Sequence, residues 1–223
     1  MSAALAVLRK DLRLELRTFE TLPAMVLFSL STFVIFHFAL GRAAISGQLA
    51  AGVLTVTLLF ATLLGAGRLF VAEREQGGFD AFLLAPVDRT SLLLAKAVAM
   101  FVFLAVLEVV AVPAFALLLL GPPLAPRVGD LSAVLALADV ALAVIGTLVS
   151  AIAIHTRARD MISPIIGLPL LLPALIATAR AAAPVLARHS AGSPPGKWLL
   201  ILALYDVVFA LLSYAVFDFL LED

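Results

Sequence analysis

The chain has 223 residues, of which 64% are hydrophobic and 13% charged, with a formal net charge of zero. A soluble domain carries about 25% charged residues, and a globule of this size could not bury so much apolar side chain beneath a polar surface. Neutral charge gives no support to a nucleic-acid role. The absence of cysteine removes disulfides, zinc–thiolate sites, iron–sulfur clusters and cysteine-attached haem. Long apolar runs rich in Leu and Ala point to membrane helices and not to a lipid-facing barrel, whose strands alternate apolar and polar residues.

Residues 3 to 20 differ from everything after them. Leu5, Leu8, Leu12, Leu16 and Phe19 recur at helical spacing, with Arg9, Lys10, Arg13, Arg17 and Glu20 over much of the remaining surface. That pattern suits an amphipathic helix lying in the membrane interface with its arginines at anionic headgroups, or else a short cytosolic cap on a bundle. The opening does not resemble a cleaved signal peptide.

Six apolar segments follow, at 22–40, 46–67, 92–120, 131–154, 161–179 and 198–219. About twenty helical residues cross a hydrocarbon core about 30 Å thick. The third segment is overlong and contains Pro113, which predicts a kinked, tilted or broken helix. Asp139 interrupts the fourth segment, and Pro164, Pro169 and Pro173 punctuate the fifth. Residues 180–197, with Pro184, Gly192, Pro194, Pro195 and Gly196, are expected to be a loop with one short structured piece, and Trp198 stands where an interfacial anchor belongs.

Lys and Arg counts set an expected orientation. With the N-terminus cytoplasmic, that side holds Arg9, Lys10, Arg13, Arg17, Arg68, Arg74, Arg89, Lys96, Arg157 and Arg159, ten in all. The other side holds Arg42, Arg127, Arg180, Arg188 and Lys197, five in all. The bias predicts both termini inside. The expected organisation is therefore an interfacial helix over residues 1–20 and a six-helix all-α membrane domain over 21–223, with a cytoplasmic loop at about 68–91.

That loop contains Glu73-Arg74-Glu75-Gln76-Gly77-Gly78-Phe79-Asp80 and then Ala81-Phe82-Leu83-Leu84-Ala85-Pro86. Asp80 could cap a short helix ending before Pro86, with Phe79, Phe82 and Leu83 on one face. An apolar knob flanked by carboxylates suits docking of a soluble partner; an ordinary solvated loop is the alternative. Glu108, Asp139 and Asp206 lie inside apolar segments. Glu108 is about 18 Å beyond Lys96 along a helix, near mid-bilayer. Intramembrane carboxylates are expensive and face the bundle interior, serving either substrate handling and coupling or structural bonding. Taken alone, they would support a proton-coupled transporter.

His37, His155 and His189 could each ligate haem iron or a metal, but no two are spaced as a ligand pair. No resident metal and no catalytic residue is expected, and no Ser–His–Asp arrangement has sequence support. Gly192-Ser193-Pro194-Pro195-Gly196-Lys197 falls short of a phosphate loop: it has one residue too few between glycines, and Trp198 follows where Ser or Thr belongs. If ATP drives the protein, a separate subunit hydrolyses it.

An amphipathic opening, six spans and Glu73-x-Glu75-x-Gly77-x-x-x-x-x-Leu83-Leu84-x-Pro86 together resemble the type 2 permeases of ABC exporters. Within that class the chain resembles the haem exporter protein B family. The likeness includes Arg9-Lys10-Asp11-Leu12-Arg13-Leu14-Glu15-Leu16-Arg17, the Lys96-Ala97 pair and the Gly167-Leu168-Pro169-Leu170-Leu171-Leu172-Pro173 run. The resemblance implies a bacterial inner-membrane permease paired with a soluble ABC ATPase, a haem-handling membrane protein, a small accessory membrane subunit and a second permease copy. It implies haem as cargo of the complex, delivered to a periplasmic chaperone during c-type cytochrome assembly, with ATP used by the partner and no cofactor held firmly here; a related type 2 permease exporting lipid, glycan or drug is the alternative. Glu73, Glu75, Gly77, Phe79, Phe82, Leu83 and Pro86 would then form the ATPase-coupling loop. The single tryptophan and the lack of a convincing histidine pair place haem mainly on the partner.

Overall fold

The computed structural model describes residues 3–70, 89–121, 123–154, 159–188 and 192–220. Among these the chain is all-helical: α1 (Ala3–Thr18), α2 (Thr21–Ala39), α3 (Gly47–Arg68), α4 (Arg89–Leu118), α5 (Val128–Ile154, entered through a 3-10 turn at Ala125–Arg127), α6 (Arg159–Val185) and α7 (Gly196–Leu220). Six of them, α2 to α7, are long and apolar enough to cross a membrane. The chain is a multi-pass membrane protein.

The bundle is built around α3 and α5. α3 packs most extensively on α6 and also touches α2, α4 and α5, while α5 contacts α3, α4, α6 and α7. In the apolar span of α5, 72% of residues are buried, against 17% in those of α2 and α7, so the latter two form the rim. Close approach is achieved with small residues. A Cβ on Gly65 of α3 would come within 2.9 Å of Met100 Cε and 3.0 Å of Met25 Sδ. Ala138, Ala141, Ala174 and Ala177 gather with Leu202 where α5, α6 and α7 meet. Lipid supplies no hydrophobic force between helices, so such small-residue contacts carry the packing. The outside is apolar too: Ile35, Val109, Leu117, Leu200, Leu204 and Leu211 are all exposed.

Neither set of prolines breaks its helix. α4 runs 30 residues through Pro113 without interruption, about 45 Å at 1.5 Å per residue, so it overshoots the hydrocarbon and must tilt or protrude. α6 contains Pro164, Pro169, Pro173 and Pro184, and continues to Val185, six residues past the expected end at 179. Pro169 and Pro173 are exposed, one helical turn apart, so the amide donors they lack are lost from one outer face. Tyr205 of α7 donates its hydroxyl to the Leu170 carbonyl between them.

Candidate functional site

Two polar constellations lie inside this apolar frame. The first stands at the end of α3. The last carbonyls of a helix have no partner within it. Here other elements supply them: Ser150 Oγ of α5 donates to the Ala66 carbonyl, and Lys96 Nζ of α4 donates to the Leu69 carbonyl at 2.9 Å. Lys96 is 1% exposed. Its ammonium lies 3.0 Å from Asp11 Oδ2 of α1, off the ideal hydrogen-bond direction, and 5.1 Å from the centre of the Phe70 ring. A cation at the negative end of a helix is favourable, and the Asp11 carboxylate balances it.

Asp11 and Glu15 both occupy the buried side of α1. Glu15 Oε1 accepts from the amides of Thr21 (2.8 Å) and Leu22 (2.7 Å), serving the first turn of α2. Between the two helices Phe19 takes φ +49°, and its amide closes α1 on the Glu15 carbonyl at 2.8 Å. The leucine stripe is therefore not the single packing face of α1. Leu8 and Leu12 are half-buried, while Leu5, Leu16 and Phe19 stay exposed beside Arg9, Arg13 and Arg17. The inward side is set by Val7, Asp11 and Glu15, because only there do the two carboxylates meet a cation and free amides.

The second constellation is deeper. Glu108 of α4 and Asp139 of α5 are neighbours in the interior of the bundle. One oxygen of each, Glu108 Oε1 and Asp139 Oδ1, is buried without a hydrogen-bond partner. Asp206 of α7 does not join them: both its oxygens are buried and lack partners. Of the three intramembrane carboxylates singled out in the sequence, two are brought together and the third is buried without a hydrogen-bond partner.

The opposite end of the bundle is closed by backbone and cation contacts. The Ile45 amide donates to the Leu119 carbonyl (2.8 Å) and the Gly47 amide to the Leu186 carbonyl (2.8 Å). Arg127 Nη1 donates to the carbonyls of Val185 (3.1 Å) and Ala187 (2.8 Å) at the end of α6. His37 donates through Nδ1–H to the Leu118 carbonyl. Among the described residues no three His, Asp or Glu side chains gather as a metal-binding group.

Glu73, Glu75, Gly77, Phe79, Phe82, Leu83 and Pro86, as well as His155 and His189, lie outside the described residues. What the sequence did not single out is the Asp11–Lys96 pair. Along the sequence Lys96 falls among the cations of a connection, yet it is enclosed by helices. The available signal was Asp11, a carboxylate amid four cations on one short helix.

Comparison with known proteins bears on the whole chain. A sequence model described as "CcmB protein" matches residues 2–220. "Heme exporter protein B" of Rhodobacter capsulatus is 32% identical over 172 residues, covering 77% of this chain and 78% of that protein. "Heme exporter protein B" of Bradyrhizobium diazoefficiens is 31% identical over 212 residues, covering 93% of each. With six membrane-length helices and a match along almost its full length, the chain belongs to the CcmB protein family.

Proposed function

We propose that this chain is the membrane-spanning, non-catalytic subunit of an ABC-type exporter, working in haem delivery to a periplasmic chaperone for c-type cytochrome assembly. The observation that carries this reading is the similarity to two proteins named "Heme exporter protein B", over 77% and 93% of the chain. The chain's own chemistry agrees. It is nearly all membrane helix and has no complete phosphate-loop motif, so a soluble partner must supply ATP hydrolysis. Residues 71–88 join α3 to α4, and Glu73, Glu75, Phe79, Phe82 and Leu83 within them offer carboxylates and apolar side chains to that partner. The same connection carries Gly77 and Pro86. A haem-handling membrane protein, a small accessory subunit and a second permease copy complete the proposed complex, with haem as its cargo. The excess of cations on the N-terminal side supports an orientation with both termini in the cytoplasm, and the proposed complex belongs to the inner membrane.

Deleting the gene should abolish haem-stained c-type cytochrome while the apo-cytochrome is still made. Normal holo-cytochrome in the deletion strain would refute this function. The Glu108–Asp139 pair favours a second reading, a proton-coupled transporter. A purified complex that contains no ATPase subunit would decide for it.

A further inference from the structure

We propose that Lys96 is a positioning residue that ties the root of the 71–88 connection to α1, so that force applied to that connection moves helices instead of unwinding the end of α3. This rests on the reading of 71–88 as the place where an ATPase subunit docks. Lys96 holds three elements at one point. Its own backbone belongs to α4, its ammonium donates to the carbonyl of Leu69, the residue that caps α3, at 2.9 Å, and Asp11 of α1 is its counter-ion at 3.0 Å. At 1% exposure the contact is shielded from water and salt, unlike a surface ion pair.

The neighbouring contacts fix the direction of transmission. Ser150 holds the Ala66 carbonyl to α5, so the end of α3 is fastened on two sides. Arg68 Nη1 lies 3.8 Å from Glu20 Oε2, a looser and exposed tie to the start of α2. α1 is in turn joined to α2 through Glu15. A pull on Leu69 and Phe70 therefore meets Lys96 first and passes to α1 through Asp11. Without the lysine, the carbonyls at the end of α3 would lose one of their outside partners, and the last turn would fray before the load reached another helix.

The test uses the full chain with its native partners, carrying Asp11→Asn, Lys96→Met or Lys96→Arg. Three quantities are measured per amount of permease: ATPase subunit retained on purification, phosphate released from ATP, and haem-stained c-type cytochrome in cells. Asp11→Asn and Lys96→Met should retain the ATPase and hydrolyse ATP within about two-fold of the parent, while cytochrome per ATP hydrolysed falls about ten-fold. Lys96→Arg, which keeps the charge and the donors, should recover most of that loss. Hydrogen exchange of residues 64–70 in the membrane complex should quicken in Lys96→Met and stay slow in Lys96→Arg.

An unchanged ratio of cytochrome to ATP in both Asp11→Asn and Lys96→Met would overturn the proposal. So would a proportional fall of all three quantities, which is the signature of lost folding alone. If Lys96→Met does not accumulate, Asp11→Asn decides, because it leaves the bond from Lys96 to the Leu69 carbonyl in place. A parent complex without any ATP-hydrolysing subunit would instead refute the function on which the proposal rests.

Discussion

Glu108 and Asp139 are each expensive in an apolar bundle, and the packing of α4 on α5 sets them side by side, where a polar neighbour lowers that cost. Glu108→Gln keeps a donor facing Asp139 and should leave the protein near its parental stability. Glu108→Leu orphans a buried carboxyl and should cost about 1–3 kcal/mol. Thermal unfolding in detergent checks both; equal stability of the two variants would mean that the pair contributes nothing. The sequence exposed these carboxylates, since each interrupts an apolar run. Their pairing was hidden, because it depends on the rotation of α4 against α5, which hydropathy does not carry. Asp206 illustrates the limit: its distance along its helix resembles that of Asp139, yet its carboxyl oxygens find no hydrogen-bond partner. Asp11 was hidden for the opposite reason, since a carboxylate among arginines looks like ordinary surface.

Helix limits followed from apolar length wherever lipid alone sets them, as in α2 and α3. They failed where neighbours override local chemistry. α6 continues past 179 through Pro184, since its last turn is held by Arg127 and by the Gly47 amide. Prolines in water would have ended such a helix; inside a bundle the freed groups find other partners. The α3 surface offers a sharper test of packing. At Gly65 an added methyl would press only on the flexible ends of Met100 and Met25. Gly65→Ala should therefore be accepted, with a change within about 1 kcal/mol, the gain in helix propensity offsetting the crowding. Gly65→Leu has no such room and should lower the yield of folded protein several-fold. Size-exclusion chromatography after mild detergent extraction would distinguish them, and a well-folded Gly65→Leu would show that α3 is packed more loosely than described.

At the scale of the molecule, six membrane-length helices place the N-terminal helix and the end of α7 on the same side if every one of them crosses. The parent chain contains no cysteine, so single cysteines report position without background. A membrane-impermeant maleimide applied to intact spheroplasts should modify Ala43→Cys and Gly192→Cys but not Ala6→Cys, which should react only after the membrane is opened. Labelling of Ala6→Cys from outside would reverse the orientation drawn from the charge bias. That bias was legible because it sums over many residues. The arrangement of helices around α3 and α5 was not legible, since all six spans are apolar enough to look alike along the chain.

The partnership of α3 with α6 also orders events during synthesis. α3 is made early and carries Thr55, Thr57 and Thr62 on buried positions, while the helix it packs on most extensively begins only at Arg159. For the time taken to translate the residues between them, α3 must wait in lipid with its future interface uncovered. Two of those hydroxyls wait without cost, because Thr57 and Thr62 turn back onto the carbonyls of Val53 and Leu58 in their own helix. A nascent chain stopped after α5 would hold α3 in that unfinished state, with the helices made before it inserted but the centre of the bundle still open on one side.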